Sequence, residues 1–237
     1  GCTSIEFLQH DARVLRLSEP VDWLITECMG NFFVTDEMQP VLRDAKRFLG
    51  AGGRTIPQSI RLYIAPVWLP LWNELDFWRE PIGGLDYRGA LDFATNRSYV
   101  LHVEPEFVIG KAVLMDQFPL LESPDRVGGH YTLSFGTSTR CDGVIGWFDA
   151  QLTDTIVLTT GPSQRTHWGQ MLFPIDPRRV TPATSLRFEL ELALDPEYQW
   201  TFRWSGEWGG DASGTPRFEH DSRWRFGRPD PPSGHSN

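Results

Sequence analysis

The chain has 237 residues, 40% of them hydrophobic and 22% charged, enough to bury one large core or two smaller ones. No apolar run approaches the roughly 20 residues that a bilayer-spanning helix needs, so a membrane reading through helices is excluded. A formal net charge of -9 argues against non-specific nucleic-acid binding and favours basic partners.

Three scattered cysteines give neither a disulfide framework nor a zinc cluster, so no metal is expected. The compartment expected from them is a reducing one: the cytoplasm, or the nucleus in a eukaryote. Gly1-Cys2-Thr3-Ser4 carries neither an initiator Met nor a signal peptide, and reads as the start of a fragment or a processed product. Ten Trp and 18 Pro favour strands, turns and irregular loops over a helical bundle.

Taken in order, residues 1–57 read as the end of an α/β unit. Ile5-Glu6-Phe7-Leu8 is a short strand, and Val21 to Thr26 is a second, buried one. A helix follows from about Asp36 to Leu49, with Met38, Val41, Leu42, Ala45 and Leu49 on one stripe, Thr35 as N-cap and Gly50, Gly52 and Gly53 as its end. From Ser59 the apolar period switches to two. Ile60, Leu62 and Ile64 alternate with Arg61 and Tyr63, and Leu186 to Leu194 alternate with Arg187, Glu189 and Glu191. Comparable runs at 98–104, 143–152, 155–160, 170–175 and 199–204 predict an antiparallel β-barrel or sandwich over 58–206. An aromatic-rich excursion over 68–96 interrupts it, with Trp72, Phe77, Trp78, Tyr87 and Phe93. So many large apolar groups outside a strand pattern mark a surface covered by something, or else a part of the barrel core. Residues 207–237 read as a mostly irregular tail.

Two stretches carry chemistry. In the first, Glu27 stands at the C-terminal tip of a buried strand, where open α/β sheets bind ligands. Asp36 and Glu37 follow at the mouth of the next helix and can fold back toward it. Acids gathered in this way receive a cation, and a planar guanidinium is the best geometric match because it can be gripped bidentately. The plainer reading is a strand–loop–helix connection with solvated acids at a helix start. In the second stretch, Gly161 to Gln170, Thr166-His167-Trp168 sits in a barrel loop, where a His beside a Trp by itself reads as structural.

Both stretches resemble one family. Thr26-Glu27-Cys28-Met29-Gly30 resembles the double-E loop of the protein arginine N-methyltransferases, whose pattern is Ser-Glu-Trp-Met-Gly, a second Glu nine residues after the first, then Ser-Met. Met38 falls at the second Met, Asp36 stands at the second acid, and Glu37 occupies the Ser position. Gly161 to Gln170 resembles the family's Thr-His-Trp loop, Phe48 to Pro57 is similar to its passage into the second domain, and Trp78-Arg79 with Gly84 to Tyr87 looks like its dimerisation arm.

The resemblance implies a fold and a set of roles. The fold is the C-terminal remnant of a Rossmann-like methyltransferase sheet followed by an antiparallel β-barrel or sandwich with a helical dimerisation arm. Catalysis falls to Glu27 as main clamp, Asp36 or Glu37 as second acid and His167, with Met29, Met38, Thr166 and Trp168 forming the substrate pocket. The cofactor implied is S-adenosylmethionine (AdoMet), with Ala12, Arg13 and Glu27 on its side. The substrate implied is an Arg/Gly-rich or otherwise basic protein, and the assembly a homodimer through 68–96. The Gly-rich turn that normally holds AdoMet is missing, since Gly52-Gly53, Gly83-Gly84 and Gly128-Gly129 do not follow a strand and open a helix. Ala12 and Arg13 stand where the family has a β-branched residue and Glu. The competing reading is therefore a non-catalytic β-barrel binding or dimerisation module, a fragment or a pseudoenzyme. A related methyltransferase acting on another nucleophile is a third.

Overall fold

The computed structural model describes residues 4–34, 39–70, 72, 74–196, 199–210 and 217–223. The predicted helix start Thr35 to Met38, with Asp36, Glu37 and Met38, lies outside the described residues, as does most of the predicted tail.

The first unit is a βαβ arrangement. Strand β1 (Val21–Ile25) pairs in parallel with β2 (Leu49–Ile56), Trp23 opposite Arg54 and Ile25 opposite Ile56. Parallel neighbours require a crossover. It is supplied by α1 (Gln39–Asp44) and a 3-10 turn at Ala45–Phe48, whose buried residues are Gln39, Leu42, Ala45 and Phe48. Among the described residues the α-helix gives way to the 3-10 turn before Leu49, and Gly50, Gly52 and Gly53 do not end it. They lie inside β2, in the irregularity between its paired positions: Leu49 faces Val21 and Arg54 faces Trp23, so the glycines bridge a shift in register rather than end a helix. Two further expectations fail here. Ile5 to Leu8 form no strand and are exposed. Strand β1 exists but is not buried: Trp23 is 48% and Ile25 71% exposed, since β2 is its one ladder partner among the described residues.

The second unit is built from β3 (Ser59–Val67), β4 (Tyr99–Leu101), β5 (Val113–Pro119), β6 (Arg126–Ser134), β7 (Thr139–Gln151), β8 (Val157–Thr159), β9 (Gln170–Val180), β10 (Ser185–Leu194), β11 (Trp200–Gly209) and β12 (Arg217–Asp221). One sheet has the order β4-β9-β7-β3-β5 with β8 beside β7, and the other the order β12-β11-β10-β6. All their pairings are antiparallel. The two sheets share one core and form a barrel-like sandwich that does not close among the described residues.

The alternation read from β10 has the expected effect. Leu186, Phe188, Leu190 and Leu192 are buried, and three of them sit opposite Trp208, Trp204 and Phe202 of β11. Strand β7 is buried on both faces instead. Val144, Phe148 and Ala150 join the main core, while Ile145 and Trp147 join a second cluster with Ala65, Val67, Leu69 and Leu172. A continuous apolar run is what a strand with two covered faces requires. The strands that sequence reading misses are β2, β5, β6 and β12. In β6, Gly128-Gly129 interrupts the pattern, yet Gly128 is required there: a Cβ would lie 2.2 Å from the Leu190 carbonyl oxygen of the neighbouring strand. Strand β12 lies within the stretch expected to be irregular tail, held by its ladder to β11.

The excursion is helical, with α2 (Glu74–Arg79), a 3-10 turn at Arg88–Ala90 and α3 (Leu91–Thr95). Trp72 packs edge-on against Tyr99 over the second cluster, but Phe77, Leu85, Tyr87 and Phe93 remain exposed. The arm is tied to the sheets by charge. Arg79 meets Asp176 of β9 at 2.7 Å, and Arg140 of β7 meets buried Asp142 at 2.6 Å and Asp76 of α2 at 3.6 Å. Burial raises the Asp142 pKa, against the opposing pull of the Leu69 amide it accepts at 2.7 Å and of Arg140. At the far end, Asn96 Oδ1 accepts the Asp221 amide of β12 at 2.7 Å.

Candidate functional site

The site forms where the loop after β1 is pressed onto the large sheet. The Thr26 amide still donates to Ile56 at 3.0 Å, extending the β1–β2 ladder by one residue. The chain then turns at once: Thr26 Oγ1 accepts the Cys28 amide at 3.2 Å, the Met29 amide donates to the Glu27 carbonyl at 2.7 Å, and the Phe33 amide to Gly30 at 2.8 Å. Phe32 and Phe33 adopt φ of 53° and 66°. For large non-glycine residues this backbone costs of order 1–3 kcal/mol each and persists only where the surroundings over-determine it. The surroundings here are core. Phe32 lies edge-on to Phe173, Phe33 contacts Phe118 and Phe148, and both rings are fully buried. Burial contributes about 1.5–3 kcal/mol per ring, enough to offset the strain. Gly146 of β7 makes the room, since a Cβ there would meet the Phe32 ring at 2.7 Å.

The Thr166-His167-Trp168 loop descends on this turn from the other side. Thr166 Oγ1 donates to the Trp168 carbonyl at 3.1 Å, curling the loop. The Trp168 indole N–H donates to the Met29 carbonyl at 2.6 Å, and the Gly169 amide donates to Asn31 Oδ1 at 2.8 Å. The loop base is braced by buried Gln170, which donates to the Thr160 carbonyl at 2.7 Å and accepts the Val103 amide at 2.8 Å. The His167 ring lies over the Trp168 indole with centroids 3.8 Å apart and planes at 35°, and Phe148 meets that indole edge-on at 5.6 Å.

This stacking aims His167 at the first acid: its Nε2 stands 3.5 Å from Glu27 Oε1. Both side chains are open to solvent, His167 70% and Glu27 74% exposed, so the pair adds about 0–1 kcal/mol to stability and is free to reorganise around a ligand. Trp168, by contrast, is 8% exposed. It serves more as the brace between the loops than as an open aromatic face. Glu27, Cys28, Met29, Gly30, Asn31, His167 and Trp168 line a recess of about 430 Å³.

The structure therefore brings Glu27, Met29, Thr166, His167 and Trp168 together. Ala12 and Arg13 lie apart from that cluster in an exposed turn. Arg13 is held by Asp11 at 2.6 Å, and the Ala12 carbonyl accepts from Arg47. The Arg13 guanidinium pulls the Asp11 carboxyl down to about 2. Among the described residues there is no strand–Gly-rich turn–helix cradle for an adenosyl group. Gly52-Gly53 lies in β2, Gly83-Gly84 in a turn and Gly128-Gly129 in β6, so these residues do not fit AdoMet. Nor do the described residues hold a group of three or more His, Cys, Asp or Glu suited to a metal ion. Sequence reading missed Cys28 and Asn31 as lining residues and Gln170 as brace. For Asn31 the signal was its place beside Gly30 in a turn, while Cys28 and Gln170 stood inside the two motifs without being given a role.

The architecture is a βαβ unit whose acid loop is capped by a loop of a two-sheet β domain, with a helical arm alongside. The chain belongs to the protein arginine methyltransferase family: residues 58–200 match the family model of the arginine methyltransferase oligomerization subdomain. Among curated proteins it is 28% identical over 209 residues to protein arginine N-methyltransferase 6 of Danio rerio, covering 81% of this chain and 60% of that protein. It is 26% identical over 208 residues to protein arginine N-methyltransferase PRMT10 of Arabidopsis thaliana, covering 71% of this chain and 54% of that protein. The chain thus spans little more than half the length of these relatives. Its fold is similar to that of the Trypanosoma brucei PRMT1 enzyme–prozyme heterotetrameric complex with AdoHcy, with TM-score 0.77, 16% identity and 89% of this chain covering 70% of that one. It is also similar to Arabidopsis thaliana protein arginine methyltransferase 10, with TM-score 0.73, 21% identity and 89% of this chain covering 72% of that one.

Proposed function

We propose that this chain supplies the arginine-binding part of an AdoMet-dependent protein arginine N-methyltransferase, and that AdoMet is held by residues other than those described here. The observation that carries the reading is Glu27 facing His167 across a recess braced by Trp168 and Met29.

The chemistry follows from the acceptor. A guanidinium has a pKa above about 12 and is a poor nucleophile, because its charge is spread over three nitrogens. A carboxylate that grips two of them fixes the plane and draws positive charge toward the nitrogens that do not react. Glu27 takes that role, with Asp36 or Glu37 as the second acid. His167, held against the Trp168 ring, orients Glu27 and offers a nitrogen for the proton released. Met29 supplies an apolar wall, the family resemblance gives Met38 the same role, and Thr166 keeps the closing loop curled. Much of the catalytic advantage of such a site is placement, since correct orientation of two reactants lowers a barrier by several kcal/mol before any bond changes.

Substrates are Arg/Gly-rich or otherwise basic proteins, in keeping with the net charge of -9. The exposed aromatics of the arm, Phe77, Tyr87 and Phe93, form the surface through which two copies associate. A binding or dimerisation module without turnover is the second reading, favoured by the same arm and by the lack of an AdoMet cradle among the described residues. One experiment separates them. In the full-length protein that contains this chain, Glu27→Gln lowers methylation of an Arg/Gly-rich peptide by about 10²–10³-fold. Turnover retained in that variant removes Glu27 from the mechanism, and a full-length protein that methylates no arginine favours the module.

A further inference from the structure

The acid loop is fastened at both ends, and its second fastening is made by a residue outside the two motifs. The loop start is held by Trp168 and by the Gly169 amide on Asn31. The loop end is held by Gln39, the first residue of α1, which is 1% exposed. A glutamine buried to that degree is tolerated only when both ends of its amide are paired. Here both are. Gln39 Nε2 donates to the Phe33 carbonyl at 2.9 Å, and Gln39 Oε1 accepts the indole N–H of Trp200 at 3.0 Å. The amide orientation follows from its partners, because a carbonyl can only accept and an indole N–H can only donate.

The placement gives the bond its meaning. Trp200 opens β11 in the four-stranded sheet, whereas Trp168 follows the other sheet's loop. The turn from Glu27 to Phe33 is therefore pinned to both sheets of the sandwich, by an indole on each side. Between the pins lie the two residues with left-handed φ, Phe32 and Phe33, whose rings the core holds while the pins fix the backbone on either side. Leucine in place of Gln39 fills the space and makes neither bond, and an ionised glutamate keeps the acceptor but turns a carboxylate on the Phe33 carbonyl.

We propose that Gln39 is a positioning residue for the guanidinium site: through Phe33 it sets the path of the loop that presents Glu27, and Trp200 holds it in register. The inference deepens the functional reading and rests on it for the identity of the ligand, but not for the mechanics of the loop. The test is amide hydrogen exchange on the chain itself, with methylguanidinium titrated in parallel. In Gln39→Leu, the Met29 and Phe33 amides exchange at least about tenfold faster than in the parent, relative to the β7 and β9 amides, and methylguanidinium binds correspondingly more weakly. Gln39→Glu shows the same loss at neutral pH and regains protection in acid, where a protonated carboxyl both donates to Phe33 and accepts from Trp200. A purely space-filling role would not produce that pH-dependent rescue. Unchanged exchange in Gln39→Leu, or loss spread evenly through β7 and β9, overturns the proposal. If the parent chain gives no methylguanidinium response, the functional reading fails, and the exchange data still decide whether Gln39 holds the loop.

Discussion

The contact between the two motifs, the Trp168 indole on the Met29 carbonyl, can be weighed directly. Trp168→Phe keeps an aromatic ring under His167 and beside Phe148 but deletes the N–H that reaches Met29 at 2.6 Å. Met29 is buried, so its carbonyl is left without that donor, and an unsatisfied buried acceptor costs about 1–3 kcal/mol. For a chain of 237 residues, that corresponds to a fall in Tm of roughly 2 to 12 °C. The assay is scanning calorimetry, with methylguanidinium titration to read the loop. Trp72→Phe is the control, because the Trp72 indole N–H is buried without a hydrogen-bond partner among the described residues, and its removal forfeits no bond made there. Trp168→Phe should therefore cost more stability than Trp72→Phe and should also weaken methylguanidinium binding. Equal Tm losses in the two variants would refute the reasoning, since they would mean that the indole–carbonyl bond contributes nothing beyond ring packing.

Other regions give independent tests. His220 is buried between the Trp204 and Phe218 rings, and burial pushes its pKa down to about 4. Unfolding releases it to take up a proton near pH 6.5, so its contribution is fully present above that value and is lost as pH falls toward 4. His220→Phe should flatten the acid slope of stability in that window by up to about 1.4 kcal/mol per pH unit, and an unchanged slope in chemical denaturation would count against it. In a Cys2→Ser background, Cys28 should react with a thiol reagent in the native protein. Cys141, buried and with its pKa pushed up to about 12, should react only on unfolding. Phe77→Glu with Phe93→Glu should halve the solution mass of a dimer in light scattering while leaving Tm nearly unchanged, because both rings are already exposed. A mass that does not move would count against the arm as the surface through which two copies associate.

Much of the architecture was readable without coordinates, for one reason: its signals are local. The strict alternation of Leu186 to Leu192 specifies a strand with one covered face, whereas 143–152, read among the half-buried strands, is covered on both faces in the fold. Glu27 and Thr166-His167-Trp168 stand out because their neighbours repeat a known arrangement of residue types. What escaped depends on partners distant in the chain. Gly50 to Gly53 lie within a strand because Leu49 and Arg54 to Ile56 on either side of them pair with β1, and β6 absorbed a Gly-Gly pair because β10 passes too close for a side chain. Strand β12 holds its place through its ladder with β11, not through any apolar pattern of its own. The exposure of Trp23 and Ile25 depends on what covers β1, which no periodicity encodes. The site divides along the same line. Residue types and spacing pointed to an acid, and the family resemblance to an imidazole, but only the folded chain decided that His167 lies against Trp168, that Trp168 reaches Met29, and that Gln39 pins Phe33 to Trp200. A hydrogen bond between residues 161 positions apart leaves no periodic trace in either segment, because its geometry exists only after both sheets have closed on the same core.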